Sequence, residues 1–183
     1  MTSPAGADGT TDGVSVLSRA LDQAGDVLGH VRPDNTSGPT PCSDWDVGTL
    51  ADHLVEAPAK FAVMMRGEQP DWASPAPHVE EGWSGAFRAH GDDLMHAWHS
   101  LDGDPPVPSP WQVAELAVHT WDLARAVGYP IDRLDPEVAE VAHGFMSANL
   151  TPEQRGDVFA PAAEAPAGAG PYDVLAAFAG RSV

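Results

Sequence analysis

Glu115-Leu-Ala-Val-His119 sets two metal-donor side chains four residues apart. A helix repeats every 3.6 residues, so positions i and i+4 lie one turn apart on one face. The spacing aims a carboxylate and an imidazole at a single point. His53, on an earlier helical stretch, would complete a His₂Glu set. Three protein ligands leave coordination positions open, as catalytic zinc sites do and closed four-ligand structural sites do not. Such pairs also arise by chance on exposed helices, so the surroundings must decide what this one does.

The surroundings read as helical. Val14, Leu17, Leu21, Ala24, Leu28 and Val31 recur at three and four, an amphipathic helix over 14–31. A second helix is expected over 46–66, with Ser43 and Asp46 as its start signals and Pro58 as a kink or break. A third should span 80–100, with Trp83, Phe87, Leu94, Met95 and Trp98 inward. The fourth, 109–127, has the sharpest start: Ser109 as N-cap, Pro110 at the first helical position and Gln112 behind it, with Gly128 as the stop. Asp135-Pro136-Glu137 opens a fifth helix to about Leu150, and a short one is expected over 172–179. No β alternation or internal repeat is visible. These elements predict an all-α protein, a four-helix bundle with short C-terminal helical additions. Residues 1–12 read as a disordered leader and 13–183 as a single domain.

On a helical wheel Val113, Leu116, Thr120, Leu123 and Val127 share the core face, while Glu115, His119 and Asp122 form a polar strip on its flank. His53 stands at the margin of its own apolar stripe. Polar groups at such margins can line a cavity between helices, where bundles place metal sites. Asp122 reads equally as the acceptor that orients the His119 imidazole or as one surface acid among many. Trp45 and Trp121 are expected in packing, and Cys42 as a buried small residue. His96 and His99, at i and i+3, form a rival pair whose plainer reading is a solvated helix face. Arg125 is the cation nearest His119 in sequence.

Composition narrows the partners. Nine Lys and Arg against 27 Asp and Glu give a formal charge of -18, which argues against nucleic-acid phosphates and anionic membranes. No stretch has the roughly 20 apolar residues of a membrane span. The start lacks a signal-peptide pattern, and a lone Cys42 suits a reducing cytoplasm. A small molecule is the expected partner, and a homodimer is left open.

Thr40-Pro-Cys-Ser-Asp-Trp45, Leu50-Ala-Asp-His53-Leu and Glu115-Leu-Ala-Val-His119-Thr-Trp-Asp122-Leu-Ala together resemble the actinobacterial DinB-like family. More narrowly they resemble the metal-binding domain of mycothiol-dependent maleylpyruvate isomerases and their relatives. The likeness runs from Leu17 to Arg181, including Phe159-Ala-Pro and Leu175-Ala-Ala-Phe-Ala-Gly-Arg181. It implies a four-helix bundle with a divalent metal held by His53, Glu115 and His119. Zinc is the first expectation, with nickel or another divalent ion as alternatives, and mycothiol as cosubstrate. In the family motif Cys42 is not a ligand. The resemblance implies a cytoplasmic thiol-dependent transferase or isomerase acting on a small electrophile. The alternatives are a metal-dependent hydrolase or lyase using activated water, and a non-catalytic metal or small-molecule binder. Maleylpyruvate itself is not the expected substrate, because the isomerases carry a further C-terminal domain that helps bind this dicarboxylate.

Overall fold

The computed structural model describes residues 7–42, 44–155 and 159–183, with side chains from Asp12 onward. Six helices follow in order: α1 Ala7–Leu28, α2 Val47–Met65, α3 Trp83–His99, α4 Ser109–Val127, α5 Pro136–Asn149 and α6 Pro171–Phe178. No strand occurs among the described residues, and one isolated antiparallel bridge pairs Pro39 with Asp46. The first four helices form the bundle. α1 packs on α3 and α4, and α2 packs on the same two, so α1 and α2 stand diagonally across the core. α5 covers α4 and α1, and α6 packs on α5 and α4. The chain is thus an all-α bundle with helical additions at its C-terminal end.

Four local features depart from the sequence reading. α1 begins at Ala7, so residues 7–12 of the expected leader are helical. Extending an existing helix adds one hydrogen bond per residue fixed, without a new nucleation cost. Residues 1–6 and Ser43 lie outside the described residues. Pro58 does not break α2; it is buried within a continuous helix. Its neighbours Ala57 and Phe61 are buried in the core, and His90 Nδ1 donates to the Val55 carbonyl, 2.8 Å away, from α3. Packing on both sides offsets the missing backbone donor. α3 starts at Trp83 rather than near Glu80, because Gly82 takes the left-handed conformation at φ 78°. At α4, Pro108 holds the N-cap position and Ser109 is already helical. Gln112 is wholly buried and accepts from Trp98 Nε1 at 3.1 Å, so it joins two helices instead of capping one. Asp46 does cap α2, accepting from the Thr49 N–H at 2.8 Å, and Gly128 ends α4 at φ 72°.

The long loop between α2 and α3 is tied down by one carboxylate. Asp52, buried on α2, accepts from the Val79 N–H at 3.1 Å, from Trp83 Nε1 at 2.9 Å and from His78 Nδ1 at 2.8 Å. His78 is correspondingly raised above its ordinary pKa by that bond. The contact places the loop beside His53. Asp52→Ala would leave the buried Trp83 N–H without an acceptor. We expect it to lower the unfolding free energy by about 2–4 kcal/mol, read by urea denaturation, from the lost charged hydrogen bonds and the orphaned donor.

Candidate metal centre

Trp111, Glu115 and His119 are four residues apart and form a partly exposed stripe on α4, whose other residues from Gln112 to Ala124 are buried. α2 faces this stripe with His53. His53 Nε2 lies 2.8 Å from Glu115 Oε1, and His119 Nε2 lies 3.5 Å from the same oxygen. The candidate donor atoms of the three residues fall within 4.8 Å of one another. A tetrahedral zinc ion with bonds of about 2.0–2.2 Å needs donors roughly 3.3 Å apart. The His119–Glu115 separation fits that requirement, and the His53–Glu115 contact would open by about half an ångström.

A second layer of contacts fixes His119 from behind. Its Nδ1 faces Asp122 Oδ2 across 3.4 Å. That nitrogen is buried and lacks a properly directed hydrogen bond. A small turn of the ring about its contact to Glu115 would close it, and such an acceptor behind an imidazole is the usual support of a metal-binding histidine. Asp122 is in turn gripped by Arg181, Nε to Oδ1 at 3.1 Å and Nη2 to Oδ2 at 2.9 Å. Asp122 has no solvent exposure, so this two-pronged pair is what makes a buried carboxylate tolerable there.

The titration behaviour follows from these contacts. Burial pushes the Glu115 carboxyl up, but facing His119 and the His53 hydrogen bond outweigh it and hold the group at about 2. Burial pushes His119 down, while Glu115 and Asp122 more than offset it, so its pKa is raised. Asp122 is lowered despite burial by the facing His119 and by the bonds from Arg181.

Trp45 closes the end of the site. Thr40 Oγ1 lies 2.8 Å from the Trp45 carbonyl, and the Trp45 N–H donates to the Cys42 carbonyl at 2.9 Å. The resulting tight loop lays the indole over His53 and His119, with ring centroids 4.6 and 5.5 Å apart. The expected packing role of Trp45 therefore falls on the site's own imidazoles. Trp121 is buried and donates to Asp173 at 3.0 Å. Cys42 is half-buried instead of buried, and the same loop carries its thiol within 4.8 Å of donor atoms of His119 and Asp122. Burial raises its pKa, and Asp122 is already engaged by Arg181, so this alternative trio is the poorer donor set. His96 and His99 are exposed on α3, away from the trio. Arg125 is exposed, with its guanidinium over the Trp121 ring.

Two cavities flank the site. One, of about 210 Å³, lies between α4 and α5 and is bordered by Glu115, His119, Val118, Phe145 and Phe159. The other, of about 450 Å³, lies on the α2 side against the 66–82 loop and is bordered by Trp45, His53, Lys60 and Trp72. Lys60, the sole lysine, is buried, with its ammonium 2.8 Å from Glu56 and over the Trp72 ring. Sequence reasoning missed both Lys60 and Arg181. The signal for Arg181 was the acid itself: a carboxylate beside the buried Trp121 and Leu123 needs a cation, and only nine basic residues exist to supply it.

Residues 17–124 match the family model described as the mycothiol maleylpyruvate isomerase N-terminal domain. The chain belongs to this family. The family match contains His53, Glu115, His119 and Asp122, and leaves α5, α6 and Arg181 outside it. Similar curated proteins include two uncharacterised proteins from two strains of Mycobacterium tuberculosis. Each is 32% identical over 183 residues, covering 94% of this chain and 99% of the relative. No solved structure matches the chain. Membership ties the domain to mycothiol-related proteins, and no helix among the described residues is long and apolar enough to cross a membrane.

Two outcomes are expected from these contacts. Arg181→Ala strands the Asp122 carboxylate and should cost about 3–5 kcal/mol of stability, whereas Asp122→Asn combined with Arg181→Met should cost less than the single change. Urea denaturation of the three proteins measures it. The second outcome is a pH response of the metal-free protein. Glu115 contributes fully above its ordinary 4.5, and the contribution is lost as pH falls toward about 2. His119 contributes fully below 6.5, and that contribution is lost as pH rises through its raised pKa. Stability should fall on both sides of this window, and His119→Gln should flatten the alkaline side in urea titrations across pH.

Proposed function

We propose that this protein is a metal-dependent enzyme that activates a low-molecular-weight thiol, mycothiol before others, for transfer to or isomerisation of a small electrophile. The observation that carries the reading is the meeting of His53, Glu115 and His119 at a point with a cavity on each side. Two imidazoles and one carboxylate suit zinc, with nickel as the alternative. A divalent ion there supplies Lewis acidity and lowers the pKa of a thiol that reaches it. The chain's own residues do the positioning. Asp122 and Arg181 set the orientation of His119, Trp45 limits water on one side, and the two cavities let two reactants approach from different directions.

Hydrolysis by the same donor set would call for a free general base beside it. The nearby carboxylates argue against that reading, since Asp122 is held by Arg181 and Asp52 by three donors. The purified protein should contain about one divalent ion per chain, and His53→Ala and His119→Ala should each lose it by elemental analysis. Unchanged metal in both variants would move the site elsewhere, with His96 and His99 first to test. In the cobalt-substituted protein, adding mycothiol should produce a sulfur-to-cobalt charge-transfer band that is absent in His119→Ala. No spectral change with any low-molecular-weight thiol would leave hydrolysis or plain binding as the function.

A further inference from the structure

The cavity between α4 and α5 differs chemically from the one on the α2 side. We propose that it seats the electrophile, and that this electrophile is a small uncharged molecule with an apolar body about one aromatic ring in size. The inference rests on the two-reactant reading above and supplies its substrate class. Glu115 and His119 form one end of the cavity, so a molecule lodged there has its inner end at the candidate metal position. Away from that end the walls are Val118, Phe145, Met146 and Phe159. The other polar groups on its border are uncharged, the Trp111 indole and the Asn149 amide, which gives one N–H to the Phe145 carbonyl at 2.8 Å.

Size and charge set the class. A cavity of about 150 Å³ lined by aliphatic and aromatic side chains stays dry and accepts benzene. The volume of about 210 Å³ here therefore leaves space for a ring and a short carbonyl-bearing substituent. Among the described residues, no Lys or Arg borders this cavity. A carboxylate projecting toward Phe145 and Phe159 would lose its water without meeting a cation, which is strongly unfavourable. The buried lysine of the site borders the opposite cavity instead. A dicarboxylate such as the substrate in the family's name would thus find no counter-charge for its second carboxylate away from the candidate metal position.

The test uses a matched pair of probes, acetophenone and 4-acetylbenzoate, on the metal-loaded full chain without thiol. Binding is read by saturation-transfer NMR and by the shift in melting temperature. Acetophenone should bind at least tenfold more tightly than its carboxylate. Val118→Phe fills the cavity and should abolish acetophenone binding while metal content stays at one ion per chain. Should that variant fail to fold, Phe145→Ala serves instead: it widens the cavity, and should admit 2-acetonaphthone, which the wild type excludes. Equal or tighter binding of 4-acetylbenzoate, lost in Lys60→Met, would place an anionic reactant on the α2 side and overturn the proposal. No binding of either ketone by the wild type would also overturn it. Acetophenone bound in a protein whose cobalt form shows no thiol band would sink the thiol reading, and with it the electrophile role, and leave only the uncharged apolar ligand class of this cavity standing.

Discussion

The structure turns on a buried carboxylate that cannot stand alone. Asp122 sits on α4 with no access to water, and an unpaired charge in such a place would unfold the bundle wall or force the group to neutralise. Arg181, from the segment after α6, reaches back and pairs with it by two bonds. That contact does two things at once. It anchors the chain's final helical additions to the bundle, and it sets the acceptor behind His119. The stability of the C-terminal segment and the geometry of the candidate site are therefore one problem, although the two residues are 59 positions apart.

The bundle's connectivity supplies the rest of the site. Because α1 and α2 are diagonal neighbours, the chain between them must cross one end of the bundle. That crossing segment carries Thr40, Cys42 and Trp45, and it lays Trp45 across both imidazoles. α2 and α4, packed side by side, then bring His53 and Glu115 together. Asp52, one residue before His53, points to a neighbouring side of α2 and ties the 66–82 loop. Adjacent residues on α2 thus serve two purposes, because successive side chains on a helix point about 100° apart.

The two flanking cavities divide the chemistry of the neighbourhood. The α4–α5 side is apolar, built from α5 residues that lie outside the family match together with α4 residues inside it. The α2 side combines two tryptophans with the chain's single lysine. The acidity of the whole chain bears on both, since a net charge of -18 repels anions at long range and leaves local groups to overcome it.

Periodicity alone determined the all-α class, the four bundle helices to within about three residues except at the start of α1, and the pairing of Glu115 with His119, because helical spacing is a local property. Residue type and motif spacing also singled out His53. What the sequence could not carry was anything decided by distance in space. Pro58 reads as a break, yet packing from α3 and the core keeps α2 whole. Gln112 reads as a capping partner, yet it is buried against Trp98 from another helix. Asp122 was legible either as an acceptor for an imidazole or as one acid among many; its burial, and its choice of Arg181, exist only once α6 has docked. The same holds for Lys60, whose seat is made by a loop held through Asp52. Local patterns write the helices, but which charges lose their water is fixed only when the helices close on one another.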